Sequence, residues 1–184
     1  MLTRDEALTL VRSKNPETHM LNHAVQSEAV MRALAGRLGR DPELWGLAGL
    51  LHDLDFPFTR HTPERHGLAA REELAGRLPE EALYAIAAHN EECTGVAAAG
   101  DFDFALRAAE SVTGLVMAAA LVRPTRMEGM EPKSLKKKMK DKSFAAAVDR
   151  ERIKECERLG LSLDDFLALS IAAMAPIAAE TGIV

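Results

Sequence analysis

The sequence predicts an all-α protein built as one compact helical bundle over residues 1–184. Alanine supplies 31 residues, against 23 for Val, Ile and Thr together, a balance that favours helix over strand. No segment alternates cleanly between apolar and polar residues, whereas apolar residues recur at helical spacing along most of the chain. A chain of 184 residues buries about 70% of its unfolded surface on folding, enough for one substantial core.

The elements follow in order. Thr3 and Glu6 form a capping-box pattern that opens a first helix to about residue 13, closed by Asn15-Pro16. A second helix spans about 18–38, with Ala24, Met31, Leu34, Ala35 and Leu38 on one face and His23 at the start of that face. Asp41-Pro42 reads as a cap followed by Pro in the first turn. The helix it begins carries Leu44, Trp45, Leu47, Ala48, Leu50, Leu51 and Leu54, apolar almost all round, and so belongs at the centre. Pro57 and Pro63 make 56–63 a loop. Further helices are expected at about 64–77, 79–90, 103–122, 143–159 and 162–180, the last kinked at Pro176. A basic segment, Lys133 to Lys140, separates the metal-site core at about 18–124 from C-terminal helices at about 143–181 packed on it.

The net charge of −5 gives no general attraction to nucleic acid or anionic membrane, so any phosphate binding must be local. Cys93 and Cys156 lack the spacing of a metal or redox motif, which suits a reduced, cytoplasmic protein. The N-terminus lacks the apolar core of a signal peptide, and the apolar stretches at 112–122 and 166–179 read as buried helices rather than membrane spans.

His52 and Asp53, adjacent at the end of the apolar third helix, are the main chemical signal. Burying both without partners costs several kcal/mol, roughly 2 to 7 each, and a metal ion satisfies both. His23 before them and His61, His66 and His89 after them supply further nitrogen donors. Imidazole with carboxylate suits Mn, Fe, Co, Ni or Zn better than Mg or Ca.

In the order His23, His52-Asp53, His66-Gly67, His89-Asn90 and Glu110-Ser111-Val112-Thr113-Gly114, the chain resembles the HD-domain metal-dependent phosphohydrolases, the small stand-alone members in particular. Glu110 stands where that family usually carries its last metal-binding Asp. The resemblance implies an HD-type helical bundle and hydrolysis of a phosphomonoester or phosphodiester, of a nucleotide or related small molecule, by a metal-activated water. It implies His23, His52, Asp53, His66, His89 and Glu110 as ligands. Six ligands exceed the needs of one catalytic ion, so one or two divalent transition metal ions are expected, with Asp53 bridging His23, His52 and Glu110 to His66 and His89.

His52, Asp53 and Asp55 are the candidate catalytic residues; Asp55 reads either as a solvated helix-end carboxylate or as a support or general acid. His61 competes with His66 and is read as lining the pocket. Arg123, Arg126, Lys133, Lys136 and Lys137 form either a solvated basic face or a clamp for the substrate phosphate. Two rival readings are a non-catalytic metal- and nucleotide-binding regulatory module, favoured by Glu110, and a di-iron oxygenase on the same ligands. The expected partner is a small phosphoester, with neither nucleic acid nor membrane; oligomeric state is not legible.

Overall fold

A computed structural model describes residues 1–14 and 17–184, and helices with short 3-10 turns are the regular structure among them. The α-helices are α1 (Arg4–Lys14), α2 (Thr18–Leu38), α3 (Pro42–Leu51), α4 (Phe56–Thr59), α5 (Leu68–Leu74), α6 (Glu80–Ala88), α7 (Glu91–Thr94), α8 (Asp101–Leu121), α9 (Pro132–Lys140), α10 (Arg150–Lys154) and α11 (Leu163–Met174). The all-α expectation holds. The proposed stop at Asn15-Pro16 lies outside the described residues.

At the start of α1 the Thr3 hydroxyl accepts from the Glu6 N–H (3.3 Å) while Glu6 accepts from the Thr3 N–H (2.8 Å), the reciprocal pairing the sequence announces. Gly39 ends α2 in the left-handed conformation, φ 65°. Asp41 caps α3 by accepting from Glu43 and Leu44 N–H, and every residue from Leu44 to Leu51 is buried. Its closest packing is on α2, where a Cβ at Gly49 would stand 2.7 Å from the Ser27 carbonyl oxygen. Helix–helix approach this close requires the missing side chain.

Helix α8 packs against α2, α3, α6, α9, α10 and α11. By length and composition it is apolar enough to cross a membrane, but most of it is buried here as a core helix. Its alanines let neighbouring backbones come close.

Six expected elements differ: the third helix, expected to carry Leu54, stops at Leu51, and 56–63, expected as a loop, is helical over Phe56–Thr59. The helix expected at 64–77 is reduced to α5, because His66 is extended (ψ 125°) and Gly67 takes φ 89°. The basic segment is helical, as α9. Residues 143–149 are not helical: the Arg150 guanidinium donates to the carbonyls of Asp141, Phe144, Ala145 and Val148, acceptors that a helix would use for itself. Finally, α11 stops at Met174 and a 3-10 turn carries Pro176, so Pro176 ends the α-helix instead of kinking it.

Candidate metal centre

The ends of two helices, the middle of a third and one broken segment bring the candidate ligands together. His52 and His89 occupy equivalent places, directly after α3 and α6, and each closes its helix with its own ring. The His52 Nδ1–H donates to the Gly49 carbonyl at 2.8 Å, and the His89 Nδ1–H donates to that of Ile86. His23, on α2, donates from Nδ1 to the Thr113 hydroxyl (3.1 Å), whose own proton goes to the Glu110 carbonyl (2.7 Å). His66 donates from Nδ1 to Asp55 (2.9 Å). The second oxygen of Asp55 accepts from the N–H groups of Gly67 (2.8 Å) and Ala70 (3.0 Å), which fixes the start of α5. Asp55 is therefore a buried support for His66, not a solvated helix-end carboxylate.

A carbonyl or carboxylate oxygen only accepts, and the Thr113 hydroxyl has already spent its proton, so each Nδ1 carries a hydrogen; the Nε2 of His23, His52 and His89 presents a lone pair, and that of His66 does so once its second proton is displaced. These Nε2 atoms converge on Asp53. His23 and His52 lie 3.7 and 3.4 Å from its carboxylate oxygens, His66 and His89 3.2 and 3.6 Å. His23 and His52 Nε2 are 3.2 Å apart, as are, at 3.1 Å, those of His66 and His89. The result is two donor groups that share Asp53: His23, His52 and Asp53, and Asp53, His66 and His89, each able to hold a metal ion.

The electrostatics ask for positive charge at the centre. Burial would push the Asp53 carboxyl up, but the surrounding imidazoles, His52 foremost, hold it well below the usual carboxylate range. Burial, reinforced by His52, lowers His23, and burial lowers His89 as well. Burial also works against a charged His66, yet Asp53 and Asp55 together raise it to about 10. A proton can thus sit between Asp55 and Asp53 on His66. No equally favourable place for one exists between His23 and His52, whose facing lone pairs a cation would satisfy. The donor set of nitrogen and carboxylate oxygen fits a transition metal.

Glu110 lies outside both groups. Its carboxylate accepts from Ser111 (2.7 Å) and pairs with Arg152 (3.1 Å), so the expected shell of His23, His52, Glu110 and the bridging Asp53 is present here without Glu110. Its longer arm reaches a cation instead. Asp103, seven residues earlier on α8, is already engaged: it accepts from Ala99 and Gly100 N–H and caps the helix. Beside His23 lies a cavity of about 190 Å³ walled by Glu110, Ser111, Gly114, Val148 and Arg152, among others. Arg152 is the arginine at this cavity; no local pattern marks it, and only the fold places it across from residue 110.

The basic residues expected at the site are elsewhere. Arg123 donates to the Arg126 and Glu128 carbonyls, and Arg126 to that of Leu121, so both hold the turn after α8. Lys136 pairs with Asp164 (2.8 Å), Lys133 and Lys137 are exposed, and His61 is exposed after α4.

A family model for the HD domain matches residues 20–142, about two thirds of the chain and all of the candidate ligands. The chain belongs to the HD-domain family. Comparison with curated proteins and with solved structures gave no match. HD domains bind divalent metals and are in general metal-dependent phosphohydrolases, consistent with the two groups around Asp53. The HD match stops before Arg152, which reaches the site from α10.

Proposed function

We propose that this HD domain is a phosphohydrolase that uses two divalent transition metal ions, one in each group around Asp53, to cleave a small phosphomonoester or phosphodiester. The observation that supports this most directly is the convergence of four imidazole Nε2 atoms on one largely buried carboxylate, with every Nδ1–H already committed. Bound there, divalent ions would supply an activated water and offset the charge that develops on phosphoryl oxygens.

The side chains divide the remaining work. Asp53 is the shared ligand; it, His23 and His66 are the partly exposed members of the centre, while His52 and His89 are buried. Thr113, Gly49, Ile86 and Asp55 hold the four rings so that no rotation is needed before they bind. Arg152 presents a guanidinium to the cavity beside His23, where it can meet a phosphate oxygen. Glu110 and Glu92 hold that guanidinium in place. The cavity carries no Phe, Tyr or Trp for stacking a base, and its one ring, His23, is committed to the metal group, so a phosphate and a short polar or aliphatic neighbour suit it better than a nucleobase. Nucleotides remain substrates to test, with the base outside this cavity.

The test begins with metal analysis of protein purified without chelator, followed by a phosphoester screen with Mn, Co, Ni, Fe and Zn. Wild type is expected to hold up to two ions per chain and to hydrolyse at least one phosphoester, and His52→Ala or Asp53→Ala to lose both properties. Metal without any turnover would favour the regulatory reading, for which the Glu110–Arg152 pair is the structural argument. Protein with no metal above background, and mutants that melt like wild type, would overturn the proposal.

A further inference from the structure

We propose a second binding site, for an organic anion with an apolar tail, in the cavity of about 450 Å³ between α9, the segment after it, α10 and the start of α11. Ligand pockets span about 300 to 1,000 Å³, so the space suits a small molecule. It shares no lining residue with the metal cavity, which takes part of its wall from Ala147, Val148 and Asp149.

The lining is cationic beyond what the protein itself neutralises. Lys136 and Lys154 are paired with Asp164 (2.8 Å) and Glu151 (2.7 Å). Lys140, Lys142 and Arg150 form no ion pair among the described residues. Arg150 is the unusual member. Its four Nη hydrogens go to backbone carbonyls, which carry no net charge, and its Nε–H is buried without an acceptor. A half-buried guanidinium normally pairs with a carboxylate; this one hydrogen-bonds only to neutral carbonyls, with the Asp141 carboxylate near enough to feel its charge but not bonded to it, and the unpaired Lys140 and Lys142 line the same cavity. Their summed field favours an anion in the cavity.

The other component is apolar. Met139 and Leu163 line the same space, partly buried against the core and with the rest of their surface toward the cavity. Inorganic anions would leave those two side chains wet, and a hydrocarbon would leave the charges uncompensated. A monoalkyl phosphate satisfies both: its head meets Lys140, Lys142 and the Arg150 charge, and its chain lies on Met139 and Leu163.

Calorimetric titration of octyl phosphate, inorganic phosphate and octanol into the full chain tests this, with and without chelator. Octyl phosphate is expected to bind one class of site in chelator-treated protein, about tenfold or more tighter than inorganic phosphate, with no heat from octanol. The double variant Lys140→Gln/Lys142→Gln, at exposed positions that the fold does not need, should weaken octyl phosphate binding by about tenfold or more. His52→Ala should leave it unchanged. The site is refuted if the lysine variant binds like wild type, if inorganic phosphate binds as tightly as the alkyl ester, or if binding needs His52 and metal, which would place the ligand at the metal centre. Because the readout is taken without metal, its failure leaves the phosphohydrolase proposal standing, and the reverse also holds.

Discussion

Asp55 and His66 show how one carboxylate sets the chemistry of another residue. In the metal-free protein His66 bridges Asp53 and Asp55 as an imidazolium, with its pKa raised from 6.5 to about 10. A histidine raised in the folded state stabilises the fold fully below its unfolded pKa and loses that contribution as pH climbs through its folded value. Metal-free protein should therefore lose stability as pH rises from about 6.5 through 10. A metal entering the His66–His89 group must displace the same proton, so its affinity should rise with pH over that window and its binding should release protons. Titration calorimetry in buffers of different ionisation enthalpy measures that release; equal heats in all buffers would show that His66 is already neutral. Asp55→Asn should bring the His66 pKa down and weaken metal at this group, leaving the His23–His52 group filled.

At the scale of elements, the decisive feature is the break before α5. Gly67 has φ 89°, and a Cβ there would stand 2.8 Å from the Ile86 carbonyl oxygen and 3.3 Å from the His89 ring. Gly67→Ala should destabilise the fold by about 1 to 3 kcal/mol and lower metal content at the His66–His89 group, readable as a reduced melting temperature together with reduced stoichiometry. Wild-type values for both would mean that the backbone relaxes without cost. The extent of α2, from its periodic face, and the start of α3, from the Asp41-Pro42 cap, were legible in the sequence; the end of α3 was not, because its apolar run continues to Leu54 while the helix stops at Leu51. The His66–Gly67 break was not, because the two residues that forbid a continuous helix there, Ile86 and His89, are distant in the chain. The helical state of α9 was obscured by a composition of lysines around one buried residue, Leu135. For the site, the ordered histidines and Asp53 were readable because each is chemically conspicuous. Glu110 was readable as a carboxylate but not as the partner of a cation 42 residues later.

Across the whole molecule, a chain of ion pairs ties the C-terminal elements to the metal centre. Arg107 on α8 contacts Glu155 (2.8 Å), Glu91 (3.2 Å) and Glu92 (3.1 Å); Glu92 in turn holds Arg152, and Arg152 holds Glu110. Truncating one member leaves buried charge uncompensated. Arg152→Gln should keep the metal stoichiometry while raising KM for a phosphoester by about tenfold or more, with a smaller change in kcat, as expected when a charged contact to the substrate is lost. Steady-state kinetics beside metal analysis reads both quantities; an unchanged KM would show that the guanidinium only supports Glu110 and Glu92.

Residues 143–149 have the composition of a helix, three successive alanines among them, and directly precede one. They are kept out of that helix by the carbonyl bonds of Arg150, with Ala145 held at φ 46°, a conformation that alanine disfavours. The segment is thus a latent helix, restrained by one side chain. Arg150→Met, which keeps the bulk of the stem but removes the donors, should let it wind onto α10 and raise the far-ultraviolet helical signal of a protein that has lost five hydrogen-bond donors. Loss of signal instead would mean that the segment needs Arg150 simply to be ordered. If the gain is observed, one arginine sets where the C-terminal helix of this chain begins, and the wall of the metal cavity exists only because that helix starts late.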